Sequence, residues 1–257
     1  MNPMHEANRR GWDAASAGWQ ATVERDVDWR RCPADPAVAL VEEELELLGD
    51  VAGQDVCVLG SGDNLAVFAL AGMGARLTSV DISQAQLDTA VSRAGEIGLD
   101  IAFLRADAVD LRELGDESFD LVYTGGHVAV WVSDLKRYYA EACRILRRGG
   151  MLMVNEYHPF RRIWKASQAS PDRLELTCGY FERGPHRHDR SDAVPGAPPG
   201  SLPSYEFNWT VADYVTALMH GGCELAAIRE IGDRRERWES APLAGLPNAL
   251  LLVGRKR

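Results

Sequence analysis

The stretch VCVLGSGDN at residues 56–64 decides the fold. It begins as a short apolar run of the kind that forms a buried strand, and it leads through Gly60-x-Gly62 into a helical pattern at 65–71. Glycines suit such a turn because it is tight and because a ligand must approach the backbone closely. The glycine pair alone is weak evidence for any particular ligand. The order strand, glycine turn, helix nevertheless predicts a nucleoside-binding site at the strand's carboxyl end.

An acidic residue supports the nucleoside interpretation. Asp81 ends the second predicted strand, 76–81, and follows Gly60 by 21 positions. In a doubly wound sheet that position lies beside the glycine turn, where a carboxylate accepts hydrogen bonds from ribose hydroxyls. The alternative is that Asp81 caps the next helix. Leu65 stands where the dinucleotide fingerprint has its third glycine, which disfavours a nicotinamide cofactor.

A second carboxylate follows the third predicted strand, 101–105. Asp107 faces the same crevice, where it can accept a hydrogen bond from an adenine amino group, and the backbone amide of Ala108 can bind a ring nitrogen. Taken alone, an aspartate at position 107 is more often a loop or capping residue, and the glycine turn and Asp81 favour the adenine role.

Strand and helix patterns alternate from residue 37 onward. Helices are predicted at 37–48, 65–71, 83–97, 133–146 and 210–220, and strands at 55–60, 76–81, 101–105, 119–124, 151–156, 224–230 and 249–254. Ser83 is placed to cap the third of these helices. Such an alternation predicts an α/β fold with a doubly wound, mainly parallel sheet covered by helices on both faces.

Two segments depart from this alternation. They divide the chain into an N-terminal cap segment (1–36), a cofactor-binding α/β core (37–157), an inserted segment (158–209) and a C-terminal completion of the sheet (210–257). The insertion is too long for an ordinary connection, so it is a functional lid or a mobile insertion. Arg161 and Arg162 lie near its start and lead to the hypothesis of a lid over an organic substrate that is partly apolar and has an anionic group.

The net charge and the lack of long apolar runs disfavour several classes of function. The 257 residues have a formal net charge of -10, which disfavours nucleic acid as a partner. The short basic patch at Arg144, Arg147 and Arg148 is interpreted as cations at a helix carboxyl end. No apolar run approaches the length that a membrane span needs, and no secretory signal is recognisable. We therefore expect a cytoplasmic protein, monomeric or homodimeric.

Cysteine and histidine spacing predicts no metal. The five cysteines are scattered and never form a CxxC pair, which argues against a disulfide framework and a thiolate zinc site. His186 and His188 lie two apart in a Pro-Gly-rich stretch without further ligands at sensible spacing, which favours a solvated loop.

In combination, five segments resemble the class I S-adenosylmethionine-dependent methyltransferases: VCVLGSGDN (56–64), LTSVDIS (77–83), FLRADAVDL (103–111), FDLVYTGGHVAVWVSDL (119–135) and ILRRGGMLMVNEY (145–157). The resemblance implies a Rossmann-like sheet of seven strands, the last antiparallel, with S-adenosyl-L-methionine across the strands' carboxyl ends. Leu59 and Ser61 depart from the acidic and small residues that commonly occupy these places in the first loop.

The resemblance also implies which residues bind the cofactor. The methionine part of the cofactor would lie close to the backbone of Gly60 and Gly62. Asp81 would bind the ribose, and Asp107 with Ala108 would bind the adenine. The full implied set is Trp19, Gly60, Ser61, Gly62, Asn64, Asp81, Ile82, Asp107, Ala108 and Thr124. Trp19 belongs to it, and Trp12 is a further candidate, because the N-terminal segment often folds over the cofactor, where an aromatic ring attracts a sulfonium. The alternative is that both tryptophans anchor a short helix to the core.

Catalytic candidates follow the fourth and fifth strands, where the crevice opens. They are His158, His127 and Tyr157. A general base helps when the methyl acceptor is a hydroxyl group, whereas an amine needs no base if it binds in its neutral form. Ordinary structural roles compete for all three side chains, such as a turn before Pro159 for His158.

These patterns predict methyl transfer to an oxygen or nitrogen atom of a small organic molecule, by in-line displacement with a possible histidine base. Two alternatives stay open. One is a protein that binds the methyl donor without catalysis, and the other, which the missing third glycine disfavours, is a nicotinamide-dependent oxidoreductase.

Overall fold

A seven-stranded sheet with helices on both sides forms the body of the protein. The computed structural model describes residues 2–60, 62, 64–164, 175–232 and 246–257. The helices are α1 (Pro3–Asp26), α2 (Glu42–Leu48), α3 (Leu65–Gly72), α4 (Gln84–Glu96), α5 (Leu135–Ile145) and α6 (Val211–His220). The strands are β1 (Asp55–Leu59), β2 (Arg76–Asp81), β3 (Ile101–Arg105), β4 (Phe119–Gly125), β5 (Leu146–Tyr157), β6 (His186–Asp189), β7 (Pro203–Glu206), β8 (Cys223–Gly232) and β9 (Pro247–Lys256).

The strand order in the main sheet is β3-β2-β1-β4-β5-β9-β8. The first five strands pair in parallel, and β9 runs antiparallel to both β5 and β8. The predicted doubly wound sheet of seven strands with an antiparallel last strand is therefore confirmed.

The central strand β1 is buried on both faces, as its apolar run predicts. Val56 and Val58 join the core cluster on one side of the sheet, while Cys57 and Leu59 join the cluster on the other. Both clusters hold the carboxyl end of β1 in place, and the glycine turn begins there.

Local capping residues define where several helices begin. Ser83 accepts a hydrogen bond from the backbone N–H of Gln86 at the start of α4, as predicted. Asp134 caps α5 in the same way, and Thr210 forms a reciprocal capping box with Asp213 at α6.

Two predicted boundaries are wrong. The helix predicted at 37–48 begins only at Glu42, because the Glu44 carboxylate turns back to accept a hydrogen bond from the backbone N–H of Val41 and caps the helix there. Glu44 is also buried, where it accepts the hydroxyl hydrogen of Tyr123. The strand predicted at 151–156 extends back to Leu146, since Leu146 pairs with Phe119 across a register shift.

The described part of the insertion contains a small antiparallel hairpin of β6 and β7, which the sequence did not predict. The hairpin packs on α1: Asn8 bonds the backbone of Tyr205 through both its amide nitrogen and its amide oxygen. The division into 1–36, 37–157, 158–209 and 210–257 stays a prediction. Among the described helices, none is long and apolar enough to span a bilayer.

Candidate functional site

A cavity opens at the carboxyl ends of β1, β2 and β3, with α1 lying over it. Its volume is about 840 Å³, including space open to solvent. Seven of the ten residues predicted to bind the cofactor line it, namely Trp19, Gly60, Gly62, Asp81, Ile82, Asp107 and Ala108. Their roles toward a ligand stay predictions, but the fold brings them to one place.

The three remaining predicted residues lie differently. Ser61 is outside the described residues. Asn64 is buried at the start of α3 with a left-handed backbone (φ 66°) and does not line the cavity. Thr124 is also buried away from it, where its hydroxyl is hydrogen-bonded to the Tyr138 hydroxyl.

Gly60 makes the turn after β1 possible. Its φ is +69°, a region that strongly favours glycine, and an added Cβ would lie 2.1 Å from Cγ2 of Val128. Gly62 differs, because its φ is not positive and a Cβ there would meet no heavy atom within 4 Å. The first glycine is therefore required by the fold, whereas the second leaves part of the cavity lining free of a side chain.

Asp81 lies at the end of β2, beside the cavity. It lines the cavity, and its Oδ1 accepts a hydrogen bond of 2.8 Å from the backbone N–H of Ser83. The side chain is 8% exposed, so the protein holds a carboxylate in a mostly apolar wall that includes Val80 and Ile82. That it also holds a ribose stays a prediction.

Asp107 has a partner that the sequence did not predict. Nδ1 of His5 lies 2.8 Å from its Oδ2, and both side chains are buried. Nε2 of the same ring accepts the backbone N–H of Ser133 at 2.9 Å, so Nδ1 carries the ring proton and donates it to Asp107. His5 is thus a neutral link between α1, the carboxylate after β3 and the loop before α5.

Helix α1 supplies the cavity side chains that sequence reasoning missed. They are His5 and Asn8, which line the cavity beside Trp12 and Trp19, the two tryptophans that the sequence suggested for it. Positions 5, 8, 12 and 19 follow the spacing of one helical face, which was the available signal. At the far end of α1 the Gln20 amide donates to the carbonyl of Gly62 at 2.8 Å, which connects the helix to the glycine turn.

Tryptophan rings form an aromatic wall of the cavity. The ring of Trp12 lies edge-to-face against Trp131, with centroids 5.4 Å apart, and against Trp19 at 6.3 Å. All three line the cavity. Such a wall suits a planar or partly apolar ligand, and it can also stabilise a nearby cation.

None of the three predicted catalytic residues appears among the described residues that line the cavity. His158 is buried, Nδ1 of its ring accepts the backbone N–H of Phe160, and Nε2 lies 2.9 Å from Oε1 of Glu230. Burial lowers the pKa of His158. His127 stacks on Tyr157 with centroids 3.2 Å apart and lies between Gly126 and Val128, which do line the cavity.

Glu156 is a buried carboxyl group beneath the loop that carries Val128 and Trp131. Its Oε1 accepts the backbone N–H of Ala129 at 2.9 Å. Burial raises its pKa from 4.5 to about 8, against the opposing effect of that hydrogen bond. In the folded protein the Glu156 carboxyl group is therefore mainly protonated and neutral at pH 7.

We expect the stability of the protein to fall as the pH rises from about 5 to 8, because the folded state binds the Glu156 proton more tightly than the unfolded state does across this range. One pKa unit corresponds to about 1.4 kcal/mol. Glu156→Gln should therefore raise the free energy of unfolding at pH 8 by on the order of 2–4 kcal/mol and leave it nearly unchanged at pH 5. Urea denaturation at both pH values measures this. The exposed Glu113→Gln is the control, and an undiminished pH dependence in the Glu156 variant would contradict the assignment.

No group of three or more potential metal ligands occurs within the described ranges. In the stretch with the two histidines, Nε2 of His186 lies 3.0 Å from the Asn208 amide nitrogen, and Nε2 of His188 lies 3.8 Å from the Glu206 carboxylate.

The chain is similar to known methyltransferases. Residues 57–154 match a family model described as a methyltransferase domain. A ubiquinone biosynthesis O-methyltransferase of Maricaulis maris is 28% identical over 135 residues, 52% of this chain and 52% of that protein. A demethylmenaquinone methyltransferase of Tropheryma whipplei is 30% identical over 138 residues, 53% and 52% of the two chains. This chain thus matches about half the length of these curated relatives.

Solved structures share the fold. An S-adenosylmethionine-dependent methyltransferase from Mesorhizobium loti has a TM-score of 0.63 and 23% identity, and the match covers 82% of this chain and 94% of that one. The cyclase SpnF has a TM-score of 0.61 and 16% identity, with coverage of 97% and 94%. At these identities the likeness shows the fold and leaves the reaction to be argued from the site.

Proposed function

We propose, for this member of the class I S-adenosylmethionine-dependent methyltransferase family, the transfer of a methyl group to an oxygen or nitrogen atom of a small organic molecule. One observation carries the proposal. The glycine turn after β1 and the carboxylates after β2 and β3 line a single cavity, although they are far apart in the sequence. The names of the quinone methyltransferase relatives support a small organic acceptor.

The residues present fit the cofactor. Asp81 would bind the ribose, and Asp107 with Ala108 would bind the adenine. Gly60 and Gly62 have no side chains, so the methionine part of the cofactor could lie close to their backbone. Asp107 keeps acceptor capacity for this role because each carboxylate oxygen has two lone pairs, and only one described partner occupies Oδ2.

S-adenosylmethionine supplies an electrophilic methyl carbon when it is bound. What the chain adds is placement and the exclusion of water. Helix α1 and the wall of Trp12 and Trp131 cover the cavity, which keeps solvent from the reacting atoms. His127 is the one predicted base that lies between two cavity-lining residues, so we retain it as the group that accepts a hydroxyl proton.

Titration with S-adenosylmethionine, S-adenosylhomocysteine and NAD tests the cofactor. We expect the first two to bind and to raise the melting temperature, and a response to NAD alone would overturn the proposal. Incubating the protein with a labelled donor and metabolite extracts tests transfer. Donor binding without labelled product would favour the second candidate, a binding protein without catalysis. The position of all three predicted catalytic residues outside the described cavity lining supports this candidate.

The His5 link gives a further prediction. His5→Ala should weaken S-adenosylhomocysteine binding by up to about 30-fold, because Asp107 loses a donor and the backbone N–H of Ser133 loses an acceptor, each contact contributing about 1 kcal/mol. His5→Gln should retain most of the affinity, since a single amide group supplies one donor and one acceptor. Calorimetric titration measures both. Equal affinities in the alanine variant and the unchanged protein would show that His5 does not position the carboxylate.

A further inference from the structure

Arg190 is a cation whose charge the described residues do not compensate. It follows β6 in the insertion, and its Nη1 atom is buried without a hydrogen-bond partner. Its guanidinium carbon lies 3.9 Å from the ring centroid of Trp12 and 5.0 Å from that of Trp131. Burial lowers the pKa of Arg190, and the charge of Glu206 opposes this effect.

Two other arginines of the insertion, Arg162 and Arg183, are paired. Arg162 donates to the Glu206 carboxylate and to the Asn208 amide oxygen, and Arg183 pairs with Asp213 at 2.9 Å. Glu206 is thus already engaged by Arg162. The anion site that the sequence suggested for Arg161 and Arg162 therefore fits Arg190 better, because among the described arginines Arg190 is the one with a buried guanidinium nitrogen that has no hydrogen-bond partner.

A buried cation without an anion is costly, and the cost falls when a ligand supplies the anion. Arg190 is not itself among the described residues that line the cavity, but the two rings that it contacts belong to the cavity's aromatic wall. At Gly11, an added Cβ would lie 3.3 Å from Cδ of Arg190, so the arginine stem packs closely against α1 beside that wall. A planar guanidinium on an aromatic surface binds a carboxylate through two parallel hydrogen bonds.

We propose that Arg190 binds an anionic group of the methyl acceptor, so that the acceptor is a planar organic acid whose apolar body lies against Trp12 and Trp131. This inference rests on the proposed function, since it assigns a substrate class to the same cavity. Arg190 thereby determines specificity and takes no part in the displacement itself.

The test uses benzoate as the probe and benzamide as its neutral counterpart, titrated calorimetrically into protein saturated with S-adenosylhomocysteine. We expect benzoate to bind at least tenfold more tightly than benzamide. Arg190→Gln should remove this preference and leave S-adenosylhomocysteine affinity unchanged. Arg190→Lys should keep part of it, because the charge remains but the planar pair of donors is lost. Arg187→Gln, at an exposed position on β6, is the control that should behave like the unchanged protein.

Equal affinity for both probes, absence of benzoate binding, or a full preference in Arg190→Gln would overturn the inference. If the unchanged protein failed to bind S-adenosylhomocysteine, the proposed function itself would fall, so the two failures are distinguishable.

Discussion

Replacing Asp81 with asparagine is expected to weaken S-adenosylhomocysteine binding on the order of 100-fold, or about 2.7 kcal/mol. A hydrogen bond to a charged group contributes about 1.5–3 kcal/mol, and this carboxylate is placed to accept from a diol. Asparagine is a sharper test than alanine because its amide oxygen can still accept the Ser83 N–H that Oδ1 accepts now. The beginning of α4 is therefore preserved, and calorimetry reports the lost charge.

Asp100→Asn provides the matched control. Asp100 is exposed just before β3, at the amino end of the strand, whereas the cavity lies at the carboxyl end, so its replacement should leave ligand affinity unchanged. If the Asp81→Asn variant bound S-adenosylhomocysteine as tightly as the Asp100→Asn variant, the ribose would have to lie elsewhere.

Replacing Gly60 with alanine is expected to reduce both stability and ligand binding. The new Cβ would lie 2.1 Å from Cγ2 of Val128, a β-branched side chain that cannot swing away easily, and the backbone there has positive φ. We expect the free energy of unfolding to fall by about 2–4 kcal/mol. Displacement of Val128, a cavity-lining residue, should in addition weaken S-adenosylhomocysteine binding by tenfold or more. Chemical denaturation and calorimetry measure the two effects.

Gly62→Ala separates the two effects. A methyl group there meets no protein atom within 4 Å and needs no positive φ, so stability should change by less than about 0.5 kcal/mol. Ligand binding should still fall, because the methyl group is added to the cavity lining. If both alanine variants lost stability equally, the contact with Val128 would not explain why position 60 needs a glycine.

Local patterns were sufficient for most of the fold. The bounds of β2 and β3 agree with the predicted 76–81 and 101–105, and Ser83 caps α4 as expected. These features depend on near neighbours in the sequence: a buried strand needs a continuous apolar run, and a cap needs a hydroxyl before the first turn. Prediction failed where a distant partner decides. β5 begins early because it pairs with Phe119.

The sequence by itself determined the doubly wound sheet, the glycine turn and the two carboxylates that end neighbouring strands, because parallel strands bring their carboxyl ends to one edge whatever covers it. Only the tertiary structure decided what covers that edge. His5 meets Asp107 across 102 positions, and Arg190 reaches Trp12 from the insertion. Such contacts depend on how α1 and the hairpin pack on the sheet, and no short-range pattern encodes a packing arrangement between segments so far apart.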